Sequence, residues 1–283
     1  MARFFDLVFD IPANQRFSYR MDDKALAGPG KRAMAPFGRR ETLGYIVASR
    51  EEAPSGLDPE GIKALRRVVD PEPVFDERDI ALAEWLSAYY LCGMGQALAA
   101  MIPSGRRLLS YPSLPDEEDD IAALPHELSD EQQRALDALS ALPFPAGPGG
   151  GVTGTPPMFY LYGITGSGKT EVFLRAAEHT IGAGRSVIYL VPEISLTHQT
   201  AEAIGKRFGK AAATLHSGMS PGARFAEWMR IRRGEVRIVV GPRSAVFAPV
   251  KDLGLVVIDE EHDGSYKSGN TPRYHARQAA MRR

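Results

Sequence analysis

Phe159-Tyr-Leu-Tyr-Gly-Ile-Thr-Gly-Ser-Gly-Lys-Thr170 joins a short apolar run to a glycine-rich turn, and the turn to a lysine and a threonine that open an amphipathic segment. Gly163, Gly168, Lys169 and Thr170 fill the pattern G-x-x-x-x-G-K-[ST], in which small residues let consecutive backbone N–H groups curl around a phosphate. Thr165, Gly166 and Ser167 complete the turn. The helix expected over Thr170–Ile181 aims the positive end of its dipole at the same anion. Lys169 is then placed to reach the β- and γ-phosphates of ATP, and the Thr170 hydroxyl to hold Mg2+. The alternative is a plain strand-to-helix turn with a solvated lysine.

Outward from this loop, strand and helix alternate. Strands are expected at Met158–Tyr162, Ser186–Val191, Ala213–His216, Val236–Val240 and Leu255–Ile258, and helices at Leu196–Phe208, Pro221–Arg233 and near the C-terminus. Near-continuous apolar strands such as Leu255-Val-Val-Ile258 suit a parallel sheet covered on both faces. Ligands gather at the carboxyl ends of such strands, where both the Gly163 turn and Asp259 fall. Asp259-Glu-Glu-His262 follows directly on the apolar run. Asp259 is therefore the expected Mg2+-side carboxylate, Glu260 the residue that orients or deprotonates the attacking water, and His262 a link between nucleotide state and a neighbouring segment. Taken alone, an acidic cluster of this kind reads equally well as a solvated loop.

Residues 1–105 read differently. Leu7–Phe9, Phe17–Arg20, Arg32–Phe37 and Leu43–Ser49 are short aromatic and branched runs between Pro, Gly and Asp/Asn breaks, the pattern of a β-rich module. Pro36-Phe-Gly-Arg-Arg-Glu41 with its flanks suggests a hairpin with Arg39 and Arg40 at the tip. From Asp76 to Tyr90 the period becomes helical. Residues 106–125 form an acidic, proline-containing linker around Asp116-Glu-Glu-Asp-Asp120. Ser129 then caps a helix whose first turn holds Gln132, which is grouped with the nucleotide-binding residues. A Gly/Pro stretch over 143–157 is irregular loop, and 126–283 form the phosphate-loop unit.

The net charge of −1 conceals an uneven distribution, since residues 158–283 carry 18 basic and 11 acidic side chains. That permits contact with a phosphate backbone without demonstrating it. Charged residues at 24% and hydrophobic ones at 44% exclude a fibrous or wholly disordered chain. No apolar run approaches the roughly 20 residues that span a bilayer, and no signal-peptide core is present, so the cytoplasm is expected and no membrane partner. A single cysteine, Cys92, excludes an internal disulfide or a cysteine-based zinc site within these residues.

The blocks Tyr162–Phe173, Leu190-Val-Pro-Glu-Ile-Ser-Leu-Thr197, Leu215-His-Ser-Gly218, Gly241-Pro-Arg-Ser-Ala-Val-Phe-Ala-Pro249, Val257–Lys267 and Pro272-Arg-Tyr-His-Ala-Arg277 stand in one order. Together they resemble the PriA family of replication restart helicases, a branch of superfamily two. The resemblance implies an α/β architecture, with a DNA-binding module that captures a nascent 3′ end followed by a RecA-like lobe. It also implies ATP-dependent 3′-to-5′ unwinding at abandoned forks, with primosome proteins and single-strand-binding protein as partners at branched or single-stranded DNA near the nucleoid. By the same resemblance, Arg243 and Ser244 line the DNA path. Tyr266, Lys267, Arg273 and Tyr274 belong to an aromatic-rich loop able to stack on bases, or else to an ordinary solvated loop.

In the N-terminal module, Phe17, Tyr19, Gly38 and Lys63 match the 3′-end pocket, or serve as core, turn and solvated lysine. Ser18 replaces an aspartate of better-known members, and Pro242 a small or hydroxyl residue. No room is left for a winged-helix domain, and the chain is expected to stop at Arg283 short of the second lobe and of the cysteine-rich insertion that carries the family's zinc. With that lobe missing, weak nucleotide hydrolysis is expected. A RecG-like translocase and a non-catalytic fork-binding protein are the competing readings.

Overall fold

A computed structural model describes residues 3–21, 26–56, 58–104, 127–141, 157–164, 166–192 and 204–283. The first unit is a five-stranded antiparallel sheet in the order β2-β1-β4-β3-β5, built from Arg3–Phe9 (β1), Phe17–Met21 (β2), Arg32–Phe37 (β3), Arg40–Arg50 (β4) and Arg67–Val68 (β5). β3 and β4 form the anticipated hairpin, turning at Gly38-Arg39, where Gly38 has φ +59. Glycine takes that conformation without the steric penalty of a Cβ. Arg40 already pairs in the ladder with Phe37.

Two helices cover this sheet. Glu77–Tyr90 (α1) begins at the N-cap Asp76, which accepts from Arg78 N and Asp79 N, while the Asp79 carboxylate reaches back to Asp76 N. This reciprocal cap fixes where the helix starts. Met94–Met101 (α2) lies on β1 so closely that a Cβ on Gly95 would fall on the Phe9 carbonyl.

The second unit is a four-stranded parallel sheet in the order β7-β8-β6-β9, from Ser186–Leu190 (β6), Ala212–Thr214 (β7), Ile238–Gly241 (β8) and Leu253–Ile258 (β9). Ser129 caps Asp130–Ser140 (α3) in a capping box with Gln132. The remaining helices are Lys169–Gly182 (α4), Pro221–Arg233 (α5) and Ala276–Arg282 (α6). β6 is buried along its whole length. Its Val187 and Tyr189 pack with Leu174 and Ala177 of α4, whereas Ile188 and Leu190 join Trp228 and Met229 of α5. This two-sided covering is what an uninterrupted apolar strand requires.

Four expectations meet a different outcome or fall wholly or partly outside the described residues. Met158–Tyr162 forms no strand: the segment is irregular, and Met158, Phe159, Tyr160 and Tyr162 are exposed. Among the described residues β9 ends the sheet, so no neighbouring strand offers this run a ladder. The helix expected over Leu196–Phe208 is seen only at 204–208, its first part lying outside the described residues. The expected linker and the Gly/Pro stretch also fall outside them, apart from Pro157.

The two units share one hydrophobic core. Val74, Phe75, Leu82, Leu86 and Leu98 of the first unit cluster with Phe225, Trp228, Ile231, Phe247 and Tyr274 of the second. Helix α5 grips the segment ahead of α1. Trp228 Nε1 donates to the Val74 carbonyl at 2.8 Å, Arg232 Nε to the Pro73 carbonyl at 3.0 Å, and Arg233 pairs with Glu72. Beneath this contact lies a buried ion pair. Arg32 donates from its backbone N and Nε to Asp70 Oδ2 and from Nη2 to Oδ1, at 2.7 to 2.9 Å, and its guanidinium lies 5.0 Å from the Phe225 ring centroid.

Candidate functional site

The phosphate loop stands at the N-terminus of α4. Gly166 and Gly168 have φ +82 and +77, the left-handed turns that direct successive N–H groups to one side. Gly168 is the N-cap of α4 and offers no capping side chain. The first N–H groups of the helix therefore lack an internal acceptor and suit an anion. Lys169 Nζ donates to the carbonyls of Gly163 (2.8 Å) and Ile164 (3.0 Å), lying across the loop. Gln132 Nε2 donates to the Ser167 carbonyl at 2.9 Å, so α3 braces the loop from outside. Thr165 lies outside the described residues.

The parallel register of β6 and β9 brings the acidic strand end to this loop. Leu190 pairs with Ile258, and Asp259 N donates to the Leu190 carbonyl at 2.9 Å. Tyr189 donates its hydroxyl to Asp259 Oδ2 at 3.0 Å and also lies within hydrogen-bonding reach of Thr170. The Tyr189 phenol thus stands beside both Thr170 and Asp259. Burial raises the Asp259 carboxyl above the usual carboxylate range, the Tyr189 hydrogen bond opposes this, and the Glu260 charge adds to the rise. A bound cation would reverse that trend by favouring the ionised form.

Glu260 is exposed, has φ +47 and donates its N–H to Asp259 Oδ1 at 3.0 Å. Such a conformation is costly for a non-glycine residue and is concentrated at functional sites. His262 is exposed, with Nδ1 at 3.7 Å from Glu260 Oε2. Among the described residues there is no group of three or more metal-ligating side chains that would make a zinc site.

Tyr189 and Glu171 escaped the sequence reading. Tyr189 looked like one more apolar strand residue, and only its register with Val257, two residues before Asp259, marks it. Glu171, next to Thr170, accepts from Arg207 and Arg175. Burial pushes its carboxyl up, but the hydrogen bonds from Arg207 and Arg175 outweigh this and hold it below its ordinary value. That network ties the start of α4 to the segment before β7.

The expected DNA-contacting residues divide. Tyr266 is 0% exposed and donates its hydroxyl to the Asp259 carbonyl at 2.6 Å. Tyr274, 4% exposed, packs on Phe247. Neither ring face is free to stack on a base, so both are corrected to core residues that hold the acidic loop. Lys267 is exposed, with Nζ 5.2 Å from the Tyr90 ring centroid, and Arg273 is exposed. Arg243 donates from Nη1 to the carbonyls of Ser265 and Lys267, both at 2.7 Å, and Ser244 Oγ accepts from Arg224 at 3.0 Å.

In the first unit Phe17 stands edge-on to Phe9 and Phe37. Gly38 follows Phe37 at the exposed hairpin tip. Tyr19 is buried and bonds the Pro36 carbonyl at 3.0 Å, so its ring is core. Lys63 is exposed, and its carbonyl accepts from Arg20 N beside Tyr19. Ser18 donates to Asp6 Oδ1 at 2.7 Å, and Arg50 pairs with the same carboxylate.

A family model described as the PriA 3′ DNA-binding domain matches residues 6–103, and one described as a DEAD/DEAH box helicase matches residues 155–282. Across 100% of its length the chain is 46% identical to the Replication restart protein PriA of Treponema pallidum, of which it covers 42%. It is 52% identical over 126 residues to that of Bacillus subtilis, covering 44% of this chain and 16% of the relative. To that of Borreliella burgdorferi it is 30% identical over 226 residues, covering 76% of this chain and 32% of the relative. The chain thus spans less than half the length of these relatives. With both family models falling in the same order along it and a PriA relative aligned over its whole length, the chain belongs to the PriA family, whose N-terminal portion it matches.

Proposed function

We propose that this chain is the DNA-engaging and nucleotide-binding part of an ATP-dependent replication restart helicase of 3′-to-5′ polarity, acting on branched DNA with primosome proteins and single-strand-binding protein as partners. The observation that carries the reading is the convergence of Lys169, Thr170, Tyr189 and Asp259 at the end of one parallel sheet, beside a helix N-terminus. Mg2+ held between Thr170 and Asp259 would neutralise charge on the β- and γ-phosphates. The chain's own contributions are distinct. The loop's N–H groups and Lys169 cradle the phosphates, Tyr189 orients the Asp259 carboxylate, and Glu260 is the group that positions the attacking water. Arg243 and Ser244 contact the DNA backbone without reading its sequence. Phe17, Gly38 and Lys63 surround the strand-end site of the N-terminal module, and His262 links nucleotide state to Glu260.

The test is titration with a fluorescent ATP analogue in the presence and absence of Mg2+. Binding that depends on Mg2+ and falls at least tenfold in Lys169→Ala is expected, the loss of one charge-assisted phosphate contact costing about 1.5–3 kcal/mol. Equal binding by the two proteins would remove the basis for the reading. Comparing forks with free and blocked 3′ ends separates end capture from backbone affinity alone.

A further inference from the structure

Helices α1, α2 and α3 close their N-termini in one way: the side chain at the third helical position reaches back to the N-cap backbone. The Asp79 carboxylate accepts from Asp76 N at 3.0 Å in α1, Gln96 Oε1 from Gly93 N at 3.0 Å in α2, and Gln132 Oε1 from Ser129 N at 2.9 Å in α3. Glycine as the N-cap of α2 does not prevent this. Helix α4 also starts after a glycine, and it carries Glu171 at its third position, a residue type suited to the same return. Glu171 points elsewhere. Its Oε2 accepts from Arg207 Nη1 at 2.7 Å, and its Oε1 from Arg175 Nε at 2.8 Å and from Arg207 Nη2 at 3.2 Å.

Arg207 belongs to the helical residues 204–208 ahead of β7, outside α4 altogether. Its Nε and Nη2 also donate to Glu178 Oε1 and Oε2, at 2.6 and 2.9 Å. Glu178 follows Glu171 by about two turns on the same face of α4, so one guanidinium clamps that face. The side chains of Glu171 and Arg207 are each 21% exposed, and solvent screens the pair less than it would at the open surface. Charge decides what the clamp prevents. Residues three apart on a helix are neighbours, so a released Glu171 carboxylate would stand beside Gly168 and the N–H groups that the left-handed turns at Gly166 and Gly168 direct to one side. Those donors, and the positive end of the helix dipole, attract a side-chain carboxylate as they attract a phosphate.

We infer that Arg207 is a positioning residue for nucleotide binding: by holding Glu171 sideways, with Arg175 as the second partner, it keeps the chain's own carboxylate out of the phosphate loop and leaves the loop's donors open to ATP. The inference rests on reading Gly163–Thr170 as a nucleotide site, and it adds to that site a residue that acts only through another. It also makes the 204–208 segment a control on the loop. Displacing Arg207 releases Glu171 onto the cradle and closes it to phosphate.

The experiment is titration of the full chain with the fluorescent ATP analogue in Mg2+, comparing Arg207→Gln, Glu171→Gln and the two changes combined. Arg207→Gln is expected to weaken binding about tenfold, the weight of one charge-assisted hydrogen bond now satisfied within the chain. Glu171→Gln breaks the same ion pair without leaving a competitor, and is expected to bind within about twofold of the unsubstituted chain or more tightly. The combined variant is expected to return to that level, a rescue that a purely structural clamp cannot give. Calorimetry with inorganic tripolyphosphate in the absence of Mg2+ should rank the four proteins in the same order, because the competition is for the loop's N–H groups and not for the metal. Equal weakening in Glu171→Gln and Arg207→Gln would overturn the inference, as would unchanged binding in Arg207→Gln or a combined variant that is not rescued. Should Arg207→Gln fail to fold, Arg207→Lys, which keeps the charge and loses the fork, is expected to weaken binding by a smaller factor and to be rescued by Glu171→Gln in the same way. Absence of Lys169-dependent binding in the unsubstituted chain counts against the nucleotide site itself, whereas Lys169-dependent binding that is indifferent to Arg207 counts against the positioning role alone.

Discussion

Replacing Asp70 by asparagine tests the junction between the two units at its most buried point. The Arg32 side chain is 1% exposed and that of Asp70 3%, and the pair makes three hydrogen bonds in addition to the Arg32 Nη1 bond to the Pro103 carbonyl at 2.9 Å. The substituted amide would fit the space but turn one acceptor into a donor facing the guanidinium. It would also remove the carboxylate charge that faces the buried guanidinium. Breaking a buried pair in this way costs about 3–5 kcal/mol, about a fifth or more of the stability of an ordinary domain. At a slope of about 3 kcal/mol/M this lowers the urea midpoint by about 1–2 M. Trp228 lies in the same core as Phe225, over which Arg32 sits, so tryptophan fluorescence is the assay. The double change Arg32→Met with Asp70→Leu should recover most of the loss, because removing both charges also removes the desolvation cost. A loss below about 1 kcal/mol in Asp70→Asn, or a double variant as unstable as the single one, would refute the account of this pair.

Asp79 supplies a pH dependence. Burial first, and then the charge of Asp76, raise its carboxyl to about 6. The folded chain therefore binds this proton more tightly than the unfolded chain, and stability falls as pH rises from about 4 to 6. Asp79→Asn, which keeps a capping side chain, should flatten the melting temperature of the chain over that window relative to the unsubstituted protein. At Gly95, alanine places a methyl group against the Phe9 carbonyl, and a loss of about 1–3 kcal/mol is expected by urea denaturation. For Gln132→Ala, removal of the brace on Ser167 should weaken binding of the ATP analogue about fivefold, corresponding to roughly 1 kcal/mol, and loss of its capping-box bond to Ser129 N should lower the urea midpoint slightly.

Local chemistry was legible where one segment carries its own signal. The Ser129 cap, the hairpin around Gly38 and the proline-led start of α5 at Pro221 all follow from residues within a few positions of one another. The phosphate loop and the acidic strand end were read the same way. Tyr266 and Tyr274 were not, because an aromatic beside a cation has the same composition whether it stacks on a base or fills a core. Burial alone separates the two cases, and it depends on partners such as Phe247 and the Asp259 carbonyl. The shared core was invisible for a related reason: Trp228 meets Val74 across 154 positions, and no periodicity within either segment encodes that meeting. Met158–Tyr162 has strand composition, but a ladder needs a neighbour as well as a pattern.

The placement of β9 at the margin of its sheet bears on how the protein behaves in a tube. Leu253–Ile258 has no lysine, proline or charged side chain, and among the described residues its outer backbone groups have no ladder partner. Five large apolar side chains from Met158 to Ile164 are exposed as well. An unguarded edge of this kind is a template on which a strand from another molecule can add. Colloidal behaviour should therefore depend on concentration. The same β9 that delivers Asp259 to the phosphate loop is the place where crowding would drive molecules together.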